Sequence, residues 1–185
     1  MSNKCIILVD GSNFYFKLRD LGLKNLLEFD FQSFSKFLAD NSVIVSSTYY
    51  IGKVRNTNES LKTKQMFDNQ QRLLSHLQNN NYKYSLGYLL KSGGKYHEKG
   101  VDVNLAVDIL VTTYEKIAQT IYLVSSDTDL LPAIRKAQEK GVKVNYVGFS
   151  HKPSVALVAE CRESKLLSGA ELRQFLNQDK NKSRK

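Results

Sequence analysis

Residues 4–13 read KCIILVDGSN and residues 120–129 read TIYLVSSDTD. In both, a run of apolar, β-prone residues leads into aspartate: Asp10 after CIILV, and Asp127 and Asp129 after TIYLV. Short apolar runs of this kind are the pattern of strands covered on both faces, the setting of a parallel sheet. A core strand normally ends in turn residues, and charge buried near a sheet edge is costly unless paired or metal-bound. Parallel neighbours would bring these acids to one crevice at their C-terminal ends, at roughly the ~4.8 Å spacing of adjacent strands. A third acid, Asp102 in KGVD (99–102), opens a long helical pattern. Several carboxylates without an equal number of local cations suit a hard divalent cation, so metal-dependent phosphate chemistry is the first expectation.

Working outward, short β-rich runs alternate with helical patterns, which predicts an α/β fold with a mainly parallel sheet. The strands are expected at 4–9, 43–51, 82–90, 120–124 and 142–147, with a marginal edge strand at 165–167. Helices are expected from about Asn13, over 30–39 with Asp30 as N-cap, and over about 58–79. In that long amphipathic stretch Met66, Phe67, Leu73, Leu74 and Leu77 are read as inward-facing. Residues 101–118 are apolar almost all round and predict a buried helix. Further helices are expected at 129–140, ended by Gly141, at 153–160 and at 170–176. Lys91–Glu98 (KSGGKYHE) reads as a polar loop with a Gly-Gly hinge. Residues 1–176 are expected to form a single domain and 177–185 a basic, disordered tail.

The 185 residues suffice for a real core, with hydrophobic and charged content near the globular norm. Cys5 and Cys161 are too few for a disulfide framework, and Cys5 in a strand pattern reads as a buried, reduced thiol. No run approaches the ~20 apolar residues of a membrane span, and no signal peptide is recognisable. The expectation is a soluble, cytoplasmic protein with no membrane partner. The net charge is +9, and residues 51–99 carry nine basic against three acidic groups. The tail carries four against one, while the remaining stretches balance. Positive charge localised in this way is the footprint of a polyanion, nucleic acid being the commonest, although lysine-rich solubility gives the same count.

Each acid also has a local reading. In DGSN, Gly11 lets the backbone turn, Ser12 or Asn13 caps the helix, and Asp10 faces the crevice, or else is itself a cap or turn residue. In SSDTD the pattern assigns helix capping to Asp129 and leaves Asp127 as the ligand. Asp102 would be favoured in a first helical turn without any function. Asp108, in the apolar context LAVDILV, needs a partner that the sequence does not identify, and is ranked behind Asp102. His76, His97 and His151 lack metal-ligand spacing. Tyr49, Tyr50, Tyr82, Tyr84, Tyr88 and Tyr96 interleave with the central cations, which suits stacking on unpaired bases or packing in the sheet.

Taken together, DGSN after the first strand, KGVDVNLAVDIL opening a buried helix, and SSDTDLLPAI after the fourth strand resemble the NYN domain, a branch of the PIN-like ribonucleases, with the bacterial LabA-like group nearest. The likeness runs in order from about Lys4 to Leu176. It implies a three-layer α/β/α sandwich whose clustered aspartates bind Mg²⁺ or Mn²⁺ and cut RNA. By motif, Asp10, Asp102 and Asp127 take the metal and catalytic positions, with Asn13 and Asp129 supporting and Asp108 a further supporting acid. The chain departs from the pattern at Arg162, where relatives often carry another acid.

The functional expectation is therefore a metal-dependent endoribonuclease acting on single-stranded or structured RNA, with Lys53, Arg55, Lys91, Lys95 and Lys99 holding the strand. The alternative is a catalytically weak RNA-binding or partner-recruiting module on the same fold. Dinucleotide binding is disfavoured because one glycine, not G-x-G-x-x-G, follows the first strand. LGYLLKSGG offers no phosphoacceptor aspartate of the receiver type, and Asn13 stands where a strand-one phosphatase would carry a second acid. The oligomeric state is left open, a homodimer included.

Overall fold

The computed structural model describes residues 3–23, 25–54, 61–92 and 95–176, with Leu89, 91–92 and 95–98 described as backbone only. The start of the long helix at Asn58, Arg55, and the tail 177–185 lie outside the described residues. Six strands form one sheet: β1 (Lys4–Asp10), β2 (Val43–Ile51), β3 (Lys83–Leu86), β6 (Thr120–Val124), β7 (Lys143–Phe149) and β8 (Glu163–Leu167). Their order is β3-β2-β1-β6-β7-β8, and every pairing is parallel. β4 (Tyr88–Ser92) and β5 (Lys95–Lys99) pair only with each other, antiparallel.

Residues of β1 alternate between two cores. Ile7 and Val9 pack with α1 (Gly11–Asp20), α2 (Phe31–Ala39) and α3 (Leu61–Asn79) on one face. Ile6 and Leu8 pack with α4 (Val101–Tyr114), α5 (Leu131–Glu139) and α6 (Val155–Glu160) on the other. That double coverage is why the run CIILV has no polar alternation: each fully buried aliphatic side chain contributes about 1.5–3 kcal/mol. A last short helix, α7 (Gly169–Arg173), opens with a Ser168–Glu171 capping box. The result is the expected three-layer sandwich. Chain order reverses between β1 and β6, so their C-terminal ends flank a topological switch point, where open α/β sheets place their ligand sites.

Several expectations need correction. Of the polar stretch expected to be a loop, residues 91–92 and 95–98 are paired in β4 and β5, and the strand expected over 82–90 is split into β3 and β4. α4 is not buried all round: Leu105 and Ile109 are inside, while Val103, Val107 and Tyr114 are exposed. Met66 is half-exposed rather than inward. Gly11 is required less by backbone freedom than by crowding, since a Cβ there would collide with the Tyr49 ring and the Tyr50 carbonyl. Both cysteines are buried free thiols, and burial pushes Cys5 up to about 11. No helix among the described residues is long and apolar enough to cross a membrane.

Candidate metal centre

Asp10 ends β1 at the switch point and is 95 % shielded, with 5 % of its surface exposed. It is both cap and site residue: Oδ1 accepts from the Asn13 backbone N–H at 3.0 Å, and Oδ2 accepts from the Ser125 hydroxyl at 2.9 Å. Ser12 and Asn13 therefore do not cap α1. Ser125 Oγ in turn accepts from the Asp127 backbone N–H at 3.1 Å. One hydroxyl thus ties the end of β1 to the segment leaving β6. That segment makes a 3₁₀ turn, Thr128–Leu130, capped by Asp127, whose Oδ1 accepts from the Asp129 N–H at 2.9 Å. Capping thus falls to Asp127, not Asp129.

Asp102 arrives from the other face of the sheet. Gly100, at φ +88, turns the chain from β5 into α4, and a Cβ there would lie 2.6 Å from the Tyr88 ring. The first turn of α4 carries Asp102 into the crevice. Asp10, Asp102 and Asp127 each present a carboxylate oxygen within 4.8 Å of the other two. Oxygens in octahedral Mg²⁺ or Mn²⁺ coordination stand up to about 4.2 Å apart, so a small side-chain rotation would bring three onto one ion. Among the described residues no lysine or arginine forms an ion pair with any of them. Burial, offset by its two hydrogen bonds and reinforced by Asp102 and Asp127, raises the Asp10 pKa. Burial and then the charges of Asp127 and Asp129 raise that of Asp102. Uncompensated oxygen donors holding protons too tightly are what a divalent cation relieves. Asn13, whose backbone N–H donates to Asp10, has a shielded Oδ1 with no hydrogen-bond partner among the described residues. The donor set therefore fits such an ion.

The remaining predicted residues are placed differently. Asp129 is exposed and does not join the trio. Asp108 has the partner that the sequence could not supply: Tyr50 donates its hydroxyl to Oδ2 at 2.5 Å, and the two hold α4 against β2. Burial and that bond push the Tyr50 pKa up. Lys99 and Lys53 are exposed at the ends of β5 and β2. The side chains of Lys91, Lys95, Tyr96 and His97 lie outside the described residues, although their backbone forms the hairpin. Tyr49, Tyr50 and Tyr82 are core residues, while Tyr84 and Tyr88 are exposed. His76 is structural, bonded to the Phe29 carbonyl. Sequence reading missed Ser125, which looks like any turn serine until β1 and β6 are known to be neighbours.

A family model described as the NYN domain matches residues 4–166. An uncharacterized protein of Methanocaldococcus jannaschii, MJ0482, is 46 % identical over 57 residues, which are 31 % of this chain and 24 % of that protein. The matched segment thus spans about a quarter of that relative's length. The crystal structure of a protein of unknown function from Vibrio parahaemolyticus, VPA0982, superposes with a TM-score of 0.70 at 20 % identity, covering 90 % of this chain and 93 % of that one. That likeness establishes the fold.

Proposed function

The chain belongs to the NYN domain family, and on that premise we propose that it is a metal-dependent endoribonuclease hydrolysing RNA phosphodiester bonds at Asp10, Asp102 and Asp127. The family is nuclease-like in general and generally acts on RNA. The observation that carries the proposal is the convergence of three carboxylates, remote in sequence, within 4.8 Å and without a compensating cation among the described residues. Mg²⁺ or Mn²⁺ held by these oxygens would supply Lewis-acid charge to the phosphoryl group and acidify a water.

The chain's own contribution is preorganisation. Asp10 is locked by the Asn13 N–H and the Ser125 hydroxyl, and Asp127 by its bond to the Asp129 N–H. Asp102, the most exposed of the three, faces solvent where a strand would arrive. Lys99, one residue before Gly100, the lysines of the hairpin and Lys53 would hold backbone phosphates. Purified protein with Mn²⁺ is expected to cleave single-stranded RNA. Asp127→Asn, which keeps an oxygen for the cap, is expected to lower the rate about 10³-fold or more at an unchanged melting temperature. Undiminished cleavage by that variant overturns the proposal.

A further inference from the structure

A cleft of about 510 Å³ opens between α1 and α3, on the opposite face of the sheet from α4. Gly11 and Ser12, the two residues that follow Asp10, form part of its lining, so one edge of the cleft lies next to Asp10 along the chain. Tyr49, Ile51 and Leu73 also line it, and at its mouth stand Tyr15, Phe16 and Met66, which are 40 %, 49 % and 50 % exposed. Phe16 is the most exposed of the chain's nine phenylalanines. The Arg19 guanidinium lies 4.7 Å from the Phe16 ring centre and 5.9 Å from that of Tyr15, and among the described residues it has no carboxylate partner.

The polar groups at the cleft fall into two kinds. Gln70 is committed, donating to the Gly52 carbonyl and accepting from the Val54 N–H. The exposed Asn69 amide and the Ser12 hydroxyl are uncommitted among the described residues. A largely apolar cleft with exposed aromatic rings, one free amide and a cation stacked on one of those rings has the chemistry of a base-stacking site: π-faces for the ring, donor and acceptor for its edge, positive charge for the flanking phosphate.

We propose that this cleft takes one unpaired nucleobase of the RNA strand whose phosphate lies at Asp10, Asp102 and Asp127. The proposal rests on the ribonuclease reading and extends it: base identity next to the cut would be sampled here, and duplex RNA would be excluded because a paired base cannot enter.

The test is binding of 5′-fluorescein hexaadenylate and hexauridylate to the full chain, in EDTA so that cleavage plays no part. Each is compared with the same oligonucleotide carrying abasic sites. The variants are Tyr15→Ala/Phe16→Ala, which removes the rings, and Asn69→Trp, which fills the mouth and leaves them. Both are expected to weaken binding of the intact oligonucleotides roughly 10-fold or more, leave abasic binding unchanged, and raise KM with little change in kcat. RNA binding that is equal for intact and abasic strands overturns this proposal alone. Base-dependent binding that responds to the variants, in a protein that never cleaves, upholds the cleft and overturns the ribonuclease reading. Adenosine monophosphate binding as tightly as the hexamer also overturns it, marking a free-nucleotide site. No binding of any oligonucleotide overturns both.

Discussion

The crevice at the ends of β1 and β6 and the hairpin formed by β4 and β5 place opposite charges in opposite ways. In the crevice, Asp10 is nearly inaccessible, doubly hydrogen-bonded and flanked by strands paired along their length. Among the described residues the hairpin pairs with no other strand, and its basic residues come from a segment whose composition reads as solvated. Hydrogen bonds at the sheet edge therefore hold Asp10 and Asp127 in place, while the cations are carried on a separate hairpin. That division suits a site whose reaction needs exact oxygen positions and whose substrate backbone needs only a positive field.

If the crevice owes its function to rigidity, its greatest vulnerability beyond the carboxylates themselves is Ser125. Ser125→Ala removes the donor to Asp10 Oδ2 and the acceptor of the Asp127 N–H. It is expected to lower metal affinity or activity by about 10- to 100-fold, as loss of a residue orienting metal ligands does. The fold should lose only about 1 kcal/mol, read from a denaturant midpoint. If activity is unchanged, the hydroxyl bridge is irrelevant and the crevice needs no such tie.

The hairpin should respond to a different variable. Replacing Lys91, Lys95 and Lys99 together by alanine is expected to weaken RNA binding uniformly across sequences and to lower the slope of log affinity against log salt by about 2. Turnover at saturating RNA should be preserved. A variant that binds normally but does not turn over would move these lysines from the field into the chemistry.

The smallest effect concerns protons. Because the pKa values of Asp10 and Asp102 are raised in the fold, the folded metal-free chain binds these protons more tightly than the unfolded chain does. Its stability should therefore fall as pH rises from the ordinary carboxylate value of about 4 through the raised values. Asp102→Asn removes one of the clustered charges and should raise the melting temperature of the metal-free protein at neutral pH, on the order of 1 °C. With Mn²⁺ present the order should reverse, because the ion then stabilises the wild-type chain more than a variant that has lost one of its ligands.

Much of this division was legible beforehand, and the reasons differ by region. β2 and β6 appear at the residues expected, because strands covered on both faces have runs with sharp ends. Asp10 and Asp127 stood out because a charge following a core strand is difficult to explain locally, and two strands repeat it; Asp102 stood out through the family motif. The hairpin was hidden because KSGGKYHE is polar and reads as a loop by composition, although Gly93-Gly94 between two runs is a hairpin signal. α4 misled for the opposite reason: Val103, Val107 and Tyr114 are apolar but exposed, so composition overstated burial. The Tyr50–Asp108 bond and the Ser125 bridge join residues 58 and 115 positions apart, and nothing in a single sequence pairs them. Calorimetric titration of metal-free protein with Mn²⁺ tests the central claim most directly, beside Asp102→Ala, whose exposed position spares the core. The wild-type chain should bind saturably and gain about 1.4 kcal/mol of stability at ten times Kd, most of which the variant loses. No saturable binding by the wild type, or equal binding by both, would contradict a metal centre at these three carboxylates.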